Sequence, residues 1–211
     1  DILIVGSGCA GLYCALNLPK DKNILIITKD IVEHSDSYLA QGGMCMLKDE
    51  SDFESYFNDT MKAGHYENNP DAVVTMINSS QDLVKDLIGF GVDFAKDEEG
   101  NLLFTREGAH SQNRILFHED ITGKEITSHL YEEAKKRDNI TIKEHWTMVD
   151  IICQEDKCYG AVVKKDDENL TVINANYTVL ASGGIGGIYR HSTNYRHLTG
   201  DGVAVAIRHG V

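Results

Sequence analysis

Gly6, Gly8 and Gly11 stand at the spacing G-x-G-x-x-G. That spacing carries chemistry only where a strand enters it and a helix leaves it, and both conditions are met. Residues 1–5 (DILIV) are a short apolar run rich in β-branched side chains, which reads as a buried parallel strand. After the glycines, LYCALNL is apolar on most faces, as a buried helix is. In this setting the first glycine permits the tight turn. The second lets backbone approach a pyrophosphate, and the third lets helix and strand pack closely. The phosphates would rest on the unsatisfied amides of the helix N-terminus, so Gly6, Ser7, Gly8, Cys9, Ala10 and Gly11 are read as the cradle of a dinucleotide. A glycine turn serving packing alone is the competing reading, and three glycines at the right offsets disfavour it.

The next element is less orthodox. Residues 23–28 (NILIIT) read as a second buried strand, closing a strand–turn–helix–strand unit. An acidic residue is expected at its end to hold a ribose hydroxyl. Thr28-Lys29-Asp30 stands there instead. Either Asp30 serves from a longer strand or Lys29 lies along the adenosine moiety, and a standard NAD site is disfavoured.

The remaining chemistry-bearing residues exclude more than they assign. The histidines have no metal-ligand spacing, so no metal site is expected. Cys153 and Cys158 are close in sequence but not at a zinc spacing, and a metal or redox role for the pair is disfavoured. Five scattered cysteines fit reduced thiols and a cytoplasmic location better than a secreted disulfide framework. A formal charge of −13 repels a phosphate backbone, which disfavours a nucleic-acid partner. No apolar run reaches the roughly 20 residues of a membrane-spanning helix. No signal peptide is read, and because the chain starts at Asp1 without a methionine, residues before it are expected.

The elements that must position these groups follow from periodicity. Residues 30–49 are weakly periodic and glycine-bearing, and read as a long functional loop. Helical spacing returns in FESYFNDTMKAG and over residues 71–90, and these helices are expected to pack on the sheet. Residues 96–104 read as a small hairpin or a surface turn. A helix over residues 122–137 follows, with Thr122 and Glu125 forming a capping-box pattern. Five short runs (140–143, 147–153, 159–164, 171–174 and 177–180) suggest a β-meander attached to the parallel sheet. The chain ends on a glycine-led helix, TGDGVAVAIRHG.

Several further motifs now stand together: Ala40-Gln41-Gly42-Gly43, Asp120-x-Thr122-Gly123, Ala181-Ser182-Gly183-Gly184 and Thr199-Gly200-Asp201-Gly202. With the glycine fingerprint, and in this order along the whole chain, they resemble the succinate dehydrogenase and fumarate reductase flavoprotein superfamily. The resemblance implies an α/β fold: a Rossmann-like FAD-binding domain with an inserted β-meander. Residues 1–211 would be its N-terminal part, with the capping and C-terminal helical domains outside them. It also implies FAD as cofactor. Contacts would come from the glycine turn, Lys29, Asp36, Ser37, Tyr38, Leu39, Ala40, Gln41, Gly42, Gly43, Met148, Ala181, Gly183 and Asp201. Within the superfamily the chain is most similar to the L-aspartate oxidases, whose product iminoaspartate feeds NAD biosynthesis.

Two positions carry that narrower resemblance. Respiratory members link FAD covalently through a histidine four residues before the alanine of AQGG. Asp36 stands there, which implies non-covalent FAD. Thr105-Arg106-Glu107-Gly108-Ala109-His110-Ser111 resembles the TREGGHS stretch of aspartate oxidases, with Ala109 in place of a glycine. Glu107 is the implied counter-charge to the substrate's α-ammonium group; a solvated loop acid is its plainer reading. His110 and His118 flank Arg114, and nothing in their spacing demands a ligand. The implied substrate is L-aspartate, with oxygen or fumarate as electron acceptor and quinolinate synthase as a possible protein partner. The family's catalytic arginine belongs to the capping domain, so no catalytic residue is expected in this segment, and the segment alone is expected to be inactive. The rival readings are a fumarate reductase or succinate dehydrogenase flavoprotein subunit and, from another class, an NAD(H)-binding regulatory module.

Overall fold

A computed structural model describes residues 1–166 and 169–211. The elements run β1 (Ile2–Val5), α1 (Cys9–Asn17), β2 (Ile24–Ile27), α2 (Asp36–Leu39), β3 (Met44–Cys45), α3 (Phe53–Ala63), α4 (Pro70–Gly89), β4 (Ile115–Leu116), α5 (Thr122–Lys135), β5 (Ile140–Lys143), β6 (Trp146–Gln154), β7 (Lys157–Lys165), β8 (Leu170–Asn174), β9 (Tyr177–Leu180) and α6 (Asp201–Arg208). They form two compact units: residues 1–39 with 127–211, and residues 40–126.

The first unit holds a four-stranded parallel sheet in the order β5-β2-β1-β9. Its central strand, β1, is buried at every position, which is why ILIV carries no polar alternation. One face of the sheet meets α1, where Ile4 lies against the helix at Gly11. On the other face Leu3, Val5 and Ile27 pack with Met148, Ile151, Ala161 and Val163 of an antiparallel meander and with Val205 of α6. Burying such side chains stabilises by about 1.5–3 kcal/mol each.

The α/β expectation holds, with one redistribution. The meander has three strands, β6-β7-β8, not five. Residues 140–143 and 177–180 instead complete the parallel sheet, flanking it at its two edges. An edge strand is half exposed, so its side chains alternate as they would in a solvated hairpin; β5 has that pattern.

The second unit holds the β3–β4 pair and the helices α3 and α4. The two helices bury their apolar faces against each other and against Leu47, through Tyr56, Met61, Val73 and Ile77. Pro70 occupies the first turn of α4, and Asn69 accepts from the amides of Asp71 and Ala72 at 3.0 and 3.2 Å, a side-chain cap. Residues 30–49, expected as one long loop, include α2 and β3. Thr122 proves to be the first residue of α5: its hydroxyl accepts from the His118 amide at 3.0 Å and donates to the Gln41 carbonyl. Glu125 accepts from the Asp93 amide at 2.9 Å. Among the described residues no helix is long and apolar enough to cross a membrane.

Candidate functional site

In the first unit β1, β2 and β9 run parallel and end at Val5, Ile27 and Leu180. A cavity of about 470 Å³ opens beyond those three carboxyl ends. Strand order reverses at β1, which has β2 on one side and β9 on the other. This is the crevice in which open α/β sheets hold ligands. The cavity is lined by the glycine turn, the end of β2, the start of β6, the end of β9 and the head of α6.

The turn is built by contact. Gly6 has φ +114°, and a Cβ there would fall 2.1 Å from the Ala181 carbonyl oxygen, so only glycine lets β1 pass β9 at this point. A Cβ on Gly11 would fall 2.0 Å from the Gly6 carbonyl oxygen, so helix and strand are as close as backbone allows. The first turn of α1 carries no acidic residue, and Gly8 caps it without a side chain. Its positive end is therefore left for an anion. Ser37 is drawn to it: its Oγ accepts from the Cys9 amide at 3.1 Å. A dinucleotide's pyrophosphate fits this cradle.

Farther along the cavity, Lys29 Nζ donates to the His197 carbonyl (3.0 Å), Thr199 Oγ1 (2.8 Å) and Asp201 Oδ2 (2.7 Å). Desolvation works to raise the Asp201 carboxyl, but the Lys29 and Thr199 hydrogen bonds and the Lys29 charge hold it below the usual carboxylate range. Asp30 is turned away to other duties. Its carboxylate meets His34 Nδ1 at 3.2 Å and His197 Nδ1 at 3.5 Å, and the rings of His34, Tyr195 and His197 stack in series. Of the two candidates at the end of β2, Lys29 is the one that lines the cavity. The Asp36 carboxylate accepts from Asn194 Nδ2 and from the Tyr195 amide (3.1 Å), tying α2 to the loop before α6.

Gly6, Ser7, Gly8, Ala10, Lys29, Asp36, Ser37, Met148, Ala181, Gly183 and Asp201 are thus brought together around one cavity. Cys9 and Gly11 support it from behind: Cys9 Sγ lies 3.2 Å from Thr127 Oγ1. Tyr38 and Leu39 sit on α2 outside the lining. Ala40, Gln41, Gly42 and Gly43 belong to the second unit, where a Cβ on Gly43 would press on the Leu116 carbonyl. Sequence reasoning missed Ser182, His34 and His197 as lining residues. Ser182 lay inside a quoted motif; the two histidines had no signal in spacing.

The second unit presents Glu107. Residues 106–114 form an excursion closed by the Thr105–Ile115 pair, whose amides and carbonyls bond at 2.9 and 3.1 Å. Ser111 donates through both N and Oγ to Asp59, at 2.7 Å each. Arg114, fully buried, makes a two-pronged pair with Asp52 (2.7 and 3.1 Å) and bonds Asp59 at 2.6 Å and Ser55 at 2.7 Å. It therefore serves the loop's framework. Its NH1 also donates to His110 Nδ1 at 3.0 Å, which leaves Nε2 to carry the ring proton toward Cys45 Sγ, 3.3 Å away. Desolvation and the Arg114 charge push His110 down, and desolvation pushes Cys45 up. Both stay neutral near pH 7, so the pair is not a thiolate–imidazolium nucleophile. Glu107 is exposed on this pinned loop. Ala109 has φ +69°, the left-handed conformation that glycine adopts without cost. His118 is bonded through Nδ1 to the Asp93 carbonyl.

The chain is similar to known proteins. The chain is 48% identical over all 211 residues to an L-aspartate oxidase of Clostridium perfringens and 43% identical to one of Clostridium acetobutylicum, and it spans about half the length of each (48%). Among solved structures, an E. coli quinol fumarate reductase mutant superposes with a TM-score of 0.93 at 28% identity, covering 99% of this chain and 37% of the other. The cradle at the head of α1 and the cavity beyond it fit a dinucleotide, and the model of the FAD binding domain matches residues 1–211. The chain accordingly belongs to the FAD binding domain family, with FAD as its cofactor.

Proposed function

We propose that the chain is the FAD-holding part of an enzyme that oxidises L-aspartate to iminoaspartate, with oxygen or fumarate as electron acceptor. The observation that carries this reading is Glu107. It is a carboxylate exposed on a loop pinned at Thr105, Ser111 and Arg114, in a chain whose relatives are named L-aspartate oxidases. An ammonium group is what distinguishes aspartate from succinate, and a fixed carboxylate is its natural partner.

The residues divide the work. The amides at the head of α1 hold the pyrophosphate, Lys29 and Asp201 order the far end of the cavity, and Gly42 and Gly43 give backbone access to the flavin ring. When bound, FAD supplies the two-electron acceptor. Glu107 orients the substrate by its ammonium group and moves no proton. Arg114 is committed to Asp52 and Asp59 and is given no catalytic role in this reading.

FAD is held without a covalent bond in this reading: Asp36 has no imidazole nitrogen to offer, and its carboxylate is engaged by Asn194 and Tyr195. A place in NAD biosynthesis, a cytoplasmic location and quinolinate synthase as partner follow from the same reading. The family match to an FAD domain displaces the NAD(H)-binding regulatory alternative, and Asp36 and Glu107 weigh against a respiratory dicarboxylate enzyme.

The test uses the full-length holoenzyme without oxygen. Aspartate should bleach the flavin absorbance while succinate leaves it unchanged, and acid precipitation should release all FAD to the supernatant. Bleaching by succinate and not by aspartate would overturn the substrate assignment. Flavin retained in the precipitate would overturn the non-covalent one.

A further inference from the structure

Two cysteines stand outside the cofactor chemistry and face each other. β6 and β7 are joined by Glu155 and Asp156, at φ +49° and +60°, a two-residue turn with both residues left-handed. Such a turn matches the twist of the strands it joins. Gln154 and Lys157 close it, and the next pair outward is Cys153 opposite Cys158. In an antiparallel ladder, hydrogen-bonded and non-hydrogen-bonded pairs alternate. The pair that closes a two-residue turn is hydrogen-bonded, so Cys153 and Cys158 occupy a non-hydrogen-bonded pair. There the Cα atoms approach to about 4.5 Å and the side chains are closest. That separation lies within the disulfide range of about 4.4–6.8 Å.

Their surroundings differ usefully. Cys153 is exposed; Cys158 is half-buried against the core beneath the meander, and its thiol donates to the Gly160 carbonyl at 3.5 Å. A small oxidant in solution reaches Cys153 first and finds Cys158 beside it.

We propose that Cys153 and Cys158 form a reversible cross-strand disulfide, a redox modification site at the tip of the β6–β7 hairpin that hydrogen peroxide closes and small thiols reopen. The Cys153 thiolate attacks one peroxide oxygen, breaking the O–O bond, giving a sulfenic acid and releasing the other oxygen as water. The Cys158 sulfur then attacks the Cys153 sulfur, breaking its S–O bond and releasing a second water. Two thiols lose two protons and two electrons, and one peroxide is reduced to two waters. Desolvation and the neighbouring Cys158 sulfur push the Cys153 thiol up, so thiolate is scarce at neutral pH and closure answers sustained rather than brief exposure. The consequence is a stiffened hairpin whose first strand begins with Trp146, Thr147 and Met148, all lining the FAD cavity.

The full-length holoprotein, its flavin absorbance confirming an intact fold, is treated with hydrogen peroxide, quenched with catalase, alkylated and digested with trypsin. Trypsin cuts after Lys157, so a closed disulfide appears as two peptides joined to each other and lighter by two hydrogens than the free pair. Dithiothreitol should separate them, and Cys9, Cys14 and Cys45 should stay alkylatable. In Cys158→Ser the same treatment should leave a Cys153 sulfenic acid that dimedone traps. Wild-type protein that yields Cys153 sulfinic or sulfonic acid, or Cys153 joined to a second chain, or unmodified Cys153, with Cys158 alkylated in each case, would overturn the proposal.

Discussion

Replacing Gly11 with alanine tests how the FAD cradle is built. An added Cβ would sit 2.0 Å from the Gly6 carbonyl oxygen and 3.4 Å from Ile4 Cγ2. Real Cβ atoms essentially never approach other heavy atoms below 3.0 Å, so α1 must retreat from the turn by about 1 Å, the difference between 3.0 and 2.0. The obstacle is backbone, which has no rotamer to escape into. β1 is also held on both sides, by β2 and by β9. The helix therefore yields, and its amides move off the phosphate position. Overpacking of this kind costs about 1–3 kcal/mol, which in FAD affinity is roughly five- to 150-fold. The dinucleotide fingerprint accepts alanine at this position in other proteins; here the helix is seated too closely. The assay is quenching of flavin fluorescence on titration of full-length apoprotein, with circular dichroism reporting the fold. Gly89→Ala, at the end of α4 with open space around its Cα, serves as control and should change nothing. An FAD affinity within twofold of wild type for Gly11→Ala, with unchanged stability, would refute the close-packing argument.

Four further outcomes are expected. Asp52→Ala strips the two-pronged carboxylate from fully buried Arg114 and should lower unfolding free energy by about 3–5 kcal/mol in urea denaturation; a loss below about 1 kcal/mol would mean the pair is compensated. Desolvation opposes ionisation of Asp52 and Asp59, but the Arg114 contacts win and hold both carboxyls below their usual value. Their stabilisation is present above the unfolded carboxyl pKa, near 4, and is lost as pH falls through the lower folded values, so urea midpoints should drop below about pH 4 and drop less steeply in Asp59→Asn. Ala109→Gly relieves a left-handed alanine and should raise stability by about 0.5–1 kcal/mol; destabilisation would show that the methyl group packs. Glu107→Gln in the complete enzyme should cut kcat/KM for aspartate about ten- to a hundred-fold, the worth of one charge-assisted hydrogen bond, and spare fumarate reduction. Equal losses in both would make Glu107 a structural residue.

What was legible in the sequence was local. The glycine turn could be read because its three glycines stand within six residues, directly after a strand and at the head of a helix, and Gly11 is set against Gly6 itself. The run ILIV announced a central strand because nothing polar interrupts it. Legibility fails where a residue's role depends on a partner far along the chain. Asp36 was read as a position lacking a histidine; its partners, Asn194 and Tyr195, lie more than 150 residues away. Asp30 and Lys29, adjacent and both charged, could not be ranked until His197 and Asp201 were placed beside them. From sequence β5 reads as meander because alternation reports exposure, and a parallel edge strand is exposed in the same rhythm as a hairpin. Cys153 and Cys158 show the intermediate case. Their spacing disfavours a metal or redox role, yet once the turn is fixed at Glu155 and Asp156 the register follows by counting, and the two residues pair across the strands. Spacing alone thus becomes a statement about chemistry only after the backbone conformation between the residues is known.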